Sequence, residues 1–140
     1  MKMNEEIKKI LVPIDNSPNS LRGLKKAIYL ARQCGASITA FHVLELPMTS
    51  VIHITNSMLE NGIEKANKII SKSIKISDKE EMGVDYKTSS GRSGAEIIKF
   101  AQKNMFDLIV IGARGLGSGK ELFLGSVSSY VIHKSKIPFF

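Results

Sequence analysis

The chain has 140 residues, the size of one domain with room for a substantial core. Hydrophobic residues make up 43% and charged residues 24%, with only four Pro and 11 Gly, so neither a fibrous nor a disordered chain is suggested. A formal charge of +7 favours acidic partners such as nucleotides, nucleic acids or anionic surfaces, but the basic residues are dispersed and almost free of interleaved aromatics, so a dedicated nucleic-acid surface is not expected.

The opening MKMNEEIKK passes directly into a strand-like run rather than the apolar core of a signal peptide. Ile7 to Ile14 (IKKILVPI) holds a β-rich apolar run and reads as the first strand. Asp15-Asn16-Ser17-Pro18-Asn19-Ser20 is a turn or helix-start signal, after which Leu21, Leu24, Ile28 and Ala31 recur at helical spacing beside Ala27. Gly35 ends that helix. Cys34, the only cysteine, excludes an intrachain disulfide, suits a reducing cytosol and reads as a small buried filler. Ser37 to Leu44 (SITAFHVL) reads as a central strand covered on both faces.

Glu45 to about Thr55 is a connection containing Pro47. A long helix follows, with Met58 or Leu59, Ile63, Ala66, Ile70 and Ile74 on one face and a solvated face of Lys and Glu. Gly83 breaks it, and the alternation in Val84 to Ser89 predicts an edge strand. After a turn at Gly91, Ser93 with Glu96 reads as a capping box for a helix carrying Ile97, Ile98 and Ala101. Asp107 to Gly112 (DLIVIG) is the clearest buried strand. Gly125 to Lys134 reads as a last helix with Val127, Val131 and Tyr130 inward, and Ile137 to Phe140 leaves room only for a short fifth strand. This alternation predicts an α/β domain over residues 1–140, a parallel sheet with helices on both faces. No apolar run reaches the roughly 18 residues of a membrane span, so no membrane partner and a cytoplasmic location are expected.

The strongest local signal is GARGLGSGKELFLGSVSS, from Gly112 to Ser129. It lies between a buried strand and a helix, where ligands collect in open α/β sheets. Glycines allow close backbone approach, and free N–H groups in the loop and at the helix start can face an anion. Ser126 and Ser128 add hydroxyls, and Arg114 and Lys120 add positive charge. An ordinary loop with a serine helix cap is the competing reading. Two named motifs do not fit. For a P-loop, Arg114 stands at the first glycine and Glu121 at the Ser/Thr that would hold magnesium. For a dinucleotide fingerprint, the first strand–helix turn has no glycine.

Gly112 and Gly115 with two residues between them, then nine residues to Gly125-Ser126, together resemble the ATP-binding signature of the universal stress protein family. VPIDNS (Val12 to Ser17), FHV (Phe41 to Val43), DLIVIGARG and the ending GSVSSYVIHKSKIPFF extend the resemblance over essentially the whole chain. It implies an open five-stranded parallel sheet, Rossmann-like and of the adenine nucleotide α-hydrolase-like type, with strand order 3-2-1-4-5. It also implies a homodimer paired through the C-terminal edge strand. By the same resemblance Asp15 lies against the adenosine moiety and the Val43 backbone contacts adenine. Gly112, Gly115, Gly125 and Ser126 contact phosphate and ribose, and Val127 and Ser128 lie beside them. Arg114 occupies the variable pair after Gly112, where it either meets phosphate or points to solvent. Asp15 has a second reading, as an Asx-turn or helix cap.

The resemblance implies an ATP-binding regulatory or stress-response factor, with Mg or Mn held chiefly by the phosphates. A slow Mg-dependent ATPase and a nucleotide-free interaction module are the alternatives. No catalytic set is apparent: His42 reads as a packed, hydrogen-bonded histidine, His53 and His133 as surface residues, and no histidine or cysteine pair has metal-ligand spacing.

Overall fold

A computed structural model describes residues 6–15, 17–45, 56–112 and 126–139. Strands β1 (Lys9–Pro13), β2 (Ser37–Leu44), β3 (Val84–Ser90) and β4 (Leu108–Ile109) alternate with helices α1 (Pro18–Cys34), α2 (Asn56–Lys79), α3 (Ser93–Lys103) and α4 (Ser126–Lys134). The sheet is parallel, four-stranded among the described residues, and ordered β3-β2-β1-β4. Alternate residues of each strand feed the two faces. Ile10, Val12, Ile38 and Ala40 pack with α1 and Ile69 of α2, while Leu11, Phe41, Val43 and Ile109 pack with Ile97 and Ala101 of α3 and Val131 of α4.

The helix ends follow the local chemistry. Ser17 caps α1, its hydroxyl accepting the Ser20 N–H at 3.2 Å, and Pro18 fills the first turn. Gly35 closes α1 at φ 68°, donating its N–H to Ala31. The Asp107 carboxylate accepts the N–H groups of Lys8 and Lys9, each at 2.9 Å, which fastens the start of β1 beside β4.

Five expectations need correction. Tyr130 of α4, expected inward, is 42% exposed. Among the described residues the fifth strand reduces to a single bridge from Phe139 to Ile109, on the β4 side of the sheet. Pro138 can offer its carbonyl to the Ile109 N–H, at 2.9 Å, but has no N–H with which to extend a ladder. The capping box does not form: Arg92 is the cap residue, and Glu96 instead accepts the Ser89 hydroxyl at 2.6 Å. Cys34 is exposed at the end of α1. The inward face of α2 is Ala66, Ile69, Ser73 and Ser77, whereas Leu59, Ile63 and Ile74 remain 39%, 48% and 39% exposed. Small residues let this helix lie close to the sheet, and the buried serines are satisfied locally. Ser73 donates to the Ile69 carbonyl, and Ser77 to that of Ile74.

Ser77 Oγ also lies 3.0 Å from the Tyr86 phenol oxygen on β3. Burial pushes that phenol above its ordinary value of 10.0; the Ser77 hydrogen bond opposes the shift and Asp78 adds to it. The unfolded tyrosine therefore ionises first. The stabilisation is complete below pH 10.0 and fades as pH rises through the folded value. Urea melts across this alkaline range should show a shallower loss of stability for Tyr86→Phe than for the wild type.

Candidate functional site

The carboxyl ends of β1 and β2 are unequal. Their pairing stops at Pro13 with Phe41, followed by one more bond from the Ile14 N–H to the Phe41 carbonyl at 2.9 Å. Pairing of β2 with β3 continues to Leu44 with Ser90. Backbone groups alternate sides along a strand. Since Phe41 faces β1, Val43 faces the same side, where β1 has already turned away. One donor and one acceptor of the Val43 backbone are thus presented to a cleft at the sheet edge.

The cleft has an inner notch of about 80 Å³ and an outer compartment of about 510 Å³. Pro13, Phe41, Ile97 and Ile111 give the notch apolar walls, and Ser20, His42 and Ser93 give it polar ones. The outer compartment opens between the end of β2 and α2, where Glu45, Asn61 and Lys65 line it. The two compartments share Asp15, His42, Val43, Ser93 and Val127. A volume of this order lies within the range typical of small-molecule sites, and the position beyond the strand ends is where α/β sheets place ligands.

Five expected residues converge on the notch: Asp15, Val43, Gly112, Val127 and Ser128. Both readings of Asp15 bear on its geometry. Its Oδ1 accepts the Ser17 N–H at 2.7 Å in an Asx-turn, while its side chain remains exposed at the cleft. Ser20 holds the same peptide from behind, accepting the Asp15 N–H at 3.0 Å and lying 2.9 Å from the Asp15 carbonyl oxygen. Ser128 is buried and donates its hydroxyl to the Gly112 carbonyl at 3.1 Å, so its proton is committed within the fold. Ser126 opens α4, and the first turn of that helix borders the notch through Val127 and Ser128. Arg114, Gly115 and Gly125 lie outside the described residues, as does the rest of 113–125.

Gly112 has a steric requirement of its own. A Cβ there would lie 2.4 Å from the Asn19 carbonyl oxygen and 2.9 Å from the Ser20 nitrogen, both backbone atoms at the start of α1. The root of the glycine-rich loop is therefore pressed against the turn that carries Asp15. The residue that sequence reasoning underused is His42, read as a packed, hydrogen-bonded histidine and not as a lining residue of the site. It is indeed buried and hydrogen-bonded, with Nδ1 2.9 Å from the Ile14 carbonyl oxygen, but it also lines both compartments. The signal available was its position next to Val43 at a strand's carboxyl end. No cluster of three or more His, Cys, Asp or Glu side chains able to hold a metal ion exists among the described residues.

Residues 6–140 match the universal stress protein family. The chain is 32% identical to universal stress protein MJ0531 of Methanocaldococcus jannaschii, over 94% of this chain and 79% of that one. Its fold superimposes on the universal stress protein UspA of Lactobacillus plantarum with a TM-score of 0.84, at 22% identity and 98% coverage of both chains. The universal stress protein of Archaeoglobus fulgidus in complex with dAMP gives 0.71 at 23% identity, over 96% of this chain and 95% of that one.

Gly112→Ala drives a methyl group into backbone rather than into a yielding side chain. It should lower stability by about 1–3 kcal/mol, the usual cost of overpacking, read from the urea midpoint at unchanged slope.

Proposed function

The chain belongs to the universal stress protein family, and from that membership we propose that it is an ATP-binding regulatory protein whose nucleotide lies in the cleft at the carboxyl ends of β1, β2 and β4. The convergence of Asp15, Val43, Gly112, Val127 and Ser128 on one notch carries this reading. A solved relative bound to dAMP supports the adenine-nucleotide class.

In this pose adenine rests against Val43, whose backbone supplies one acceptor for the amino group and one donor for a ring nitrogen. Asp15 takes the ribose hydroxyls; a carboxylate accepts from hydroxyl or amine and repels phosphate. The phosphates extend to the first turn of α4, whose unpaired N–H groups and dipole favour an anion. Gly115, Gly125 and Ser126 complete that cradle, and Arg114 adds charge. A magnesium or manganese ion would be carried mainly by the triphosphate oxygens.

The reading is one of binding and response, not consumption. At the notch the Ser128 proton is committed to Gly112, which leaves that hydroxyl unready to act on a phosphate. Ligand held only by the folded protein stabilises it, by about 2.7 kcal/mol at a hundred times Kd. Such a gain can shift a conformational or oligomeric equilibrium. A homodimer formed at the sheet edge beside Phe139 is part of this proposal, to be checked by light scattering with and without nucleotide.

Calorimetry on protein stripped of nucleotide should give one ATP site per chain. Gly125→Val should abolish that binding without changing the melting temperature of the free protein, and Asp15→Ala should weaken it by about tenfold, the worth of one charged hydrogen bond. Undiminished affinity in the Gly125 variant would remove the loop from the site. Absence of heat with ATP, ADP and AMP alike would remove the proposal, and steady phosphate release with magnesium would recast the protein as an enzyme.

A further inference from the structure

His42 is 9% exposed and stands on the α1–α2 face of β2. Its Nδ1 lies 2.9 Å from the Ile14 carbonyl oxygen. A carbonyl can only accept, so Nδ1 carries the proton and donates. In the neutral ring Nε2 is then a bare lone pair, an acceptor by constraint rather than by choice. Among the described residues no protein group pairs with Nε2, yet no buried side-chain nitrogen or oxygen lacks a partner. Nε2 therefore meets open space, and the open space that this residue borders is the cleft.

We propose that His42 is a ligand-binding residue whose Nε2 accepts a hydrogen bond from an N–H or O–H donor on the nucleoside half of the bound nucleotide. This rests on the nucleotide reading of the cleft and adds a residue and a polarity to it. Asp15 borders the same compartments with a carboxylate, also an acceptor. Two acceptors on one wall select amino and hydroxyl groups and turn away phosphate oxygens, which have only lone pairs to offer. The wall thus orients the ligand, nucleoside toward Asp15 and His42 and phosphates toward α4. Ile14 acts at one remove: its carbonyl holds the ring in the accepting tautomer.

The two ring nitrogens can be separated by substitution. Asn at position 42 can present an N–H where Nδ1 stood and so keep the tie to Ile14, but it has nothing at the place of Nε2. His42→Asn should melt close to the wild type and bind adenosine, AMP and ATP each about tenfold more weakly, the same factor for all three. His42→Ala, which loses both bonds, should also melt lower. Nitrogen-detected NMR of the wild type should show a protonated Nδ1 and a bare Nε2 in the free protein, with Nε2 shifting on addition of AMP.

Undiminished affinity of His42→Asn for all three ligands would overturn the proposal while leaving the nucleotide site standing. A loss confined to the phosphate-bearing ligands would overturn it as well, since the contact would then be to phosphate. A proton on Nε2 in the free protein would do so even if the Asn variant failed to fold. If the wild type bound no adenine compound, the nucleotide reading itself would fall and this inference with it.

Discussion

β1 and β2 part after Phe41, and the cleft depends on that unequal ending. As long as two parallel strands run together, their backbone groups satisfy one another and nothing is left for a ligand. Here β1 bends away after Pro13 while β2 runs on to Leu44 against β3, so His42, Val43 and Leu44 keep a partner strand on one side only. Unsatisfied backbone groups inside a protein are costly, but at a sheet edge facing a cavity they can be met by water or by a ligand edge of matching polarity. The Ile14 peptide is caught between the strands, donating its N–H to Phe41 and accepting from His42. That double grip sets where Asp15 leaves the sheet.

The other side of the cleft is arranged by contact rather than by pairing. Gly112 fits against Asn19 and Ser20 only because it has no side chain, and Gly23 one turn further along α1 faces it across the same gap, where a Cβ would sit 3.4 Å from the Gly112 nitrogen. Gly112, expected from sequence to serve a ligand, is thus partly answering a packing demand. The demands agree, because a backbone close enough to α1 to forbid a methyl group is also a backbone open to a ligand on its other side.

Much of this was legible from residue order. Buried strands such as SITAFHVL and DLIVIG declare themselves by apolar content, and Ser17-Pro18 and Gly35 mark the ends of α1 by rules that depend only on neighbours. Asp15, Val43 and Gly112, far apart in sequence, were grouped by resemblance, and the sheet order explains why they meet. What failed was decided by tertiary contact. The face expected for α2 was only partly right: Ala66 is buried as expected, but hydrophobicity also pointed to Ile63 and Ile74, whereas close approach to the sheet selected Ile69, Ser73 and Ser77. Glu96 has ideal spacing for a capping box and is taken instead by Ser89 on a neighbouring strand. The fifth strand shrinks to one bridge where Pro138 ends the supply of donors. His42 was read as packed and hydrogen-bonded, but not as bordering the site, because its partner Ile14 is distant in sequence and its second nitrogen says nothing until the first is placed.

The hydrogen bond from Ser128 to Gly112 closes a circuit across a sequence separation of 16 residues. Gly112 is at the same time wedged against α1, so both ends of the glycine-rich segment are held before anything binds. The entropy of bringing the segment's ends together then belongs to folding and not to ligand capture. A change in the length of the segment's interior then costs little, because loop-closure entropy grows only as the logarithm of length. On such a scaffold the loop is an exchangeable part. Its sequence can be retuned for another phosphate pattern while the joints at Gly112 and Ser128 keep the rest of the domain indifferent to the exchange.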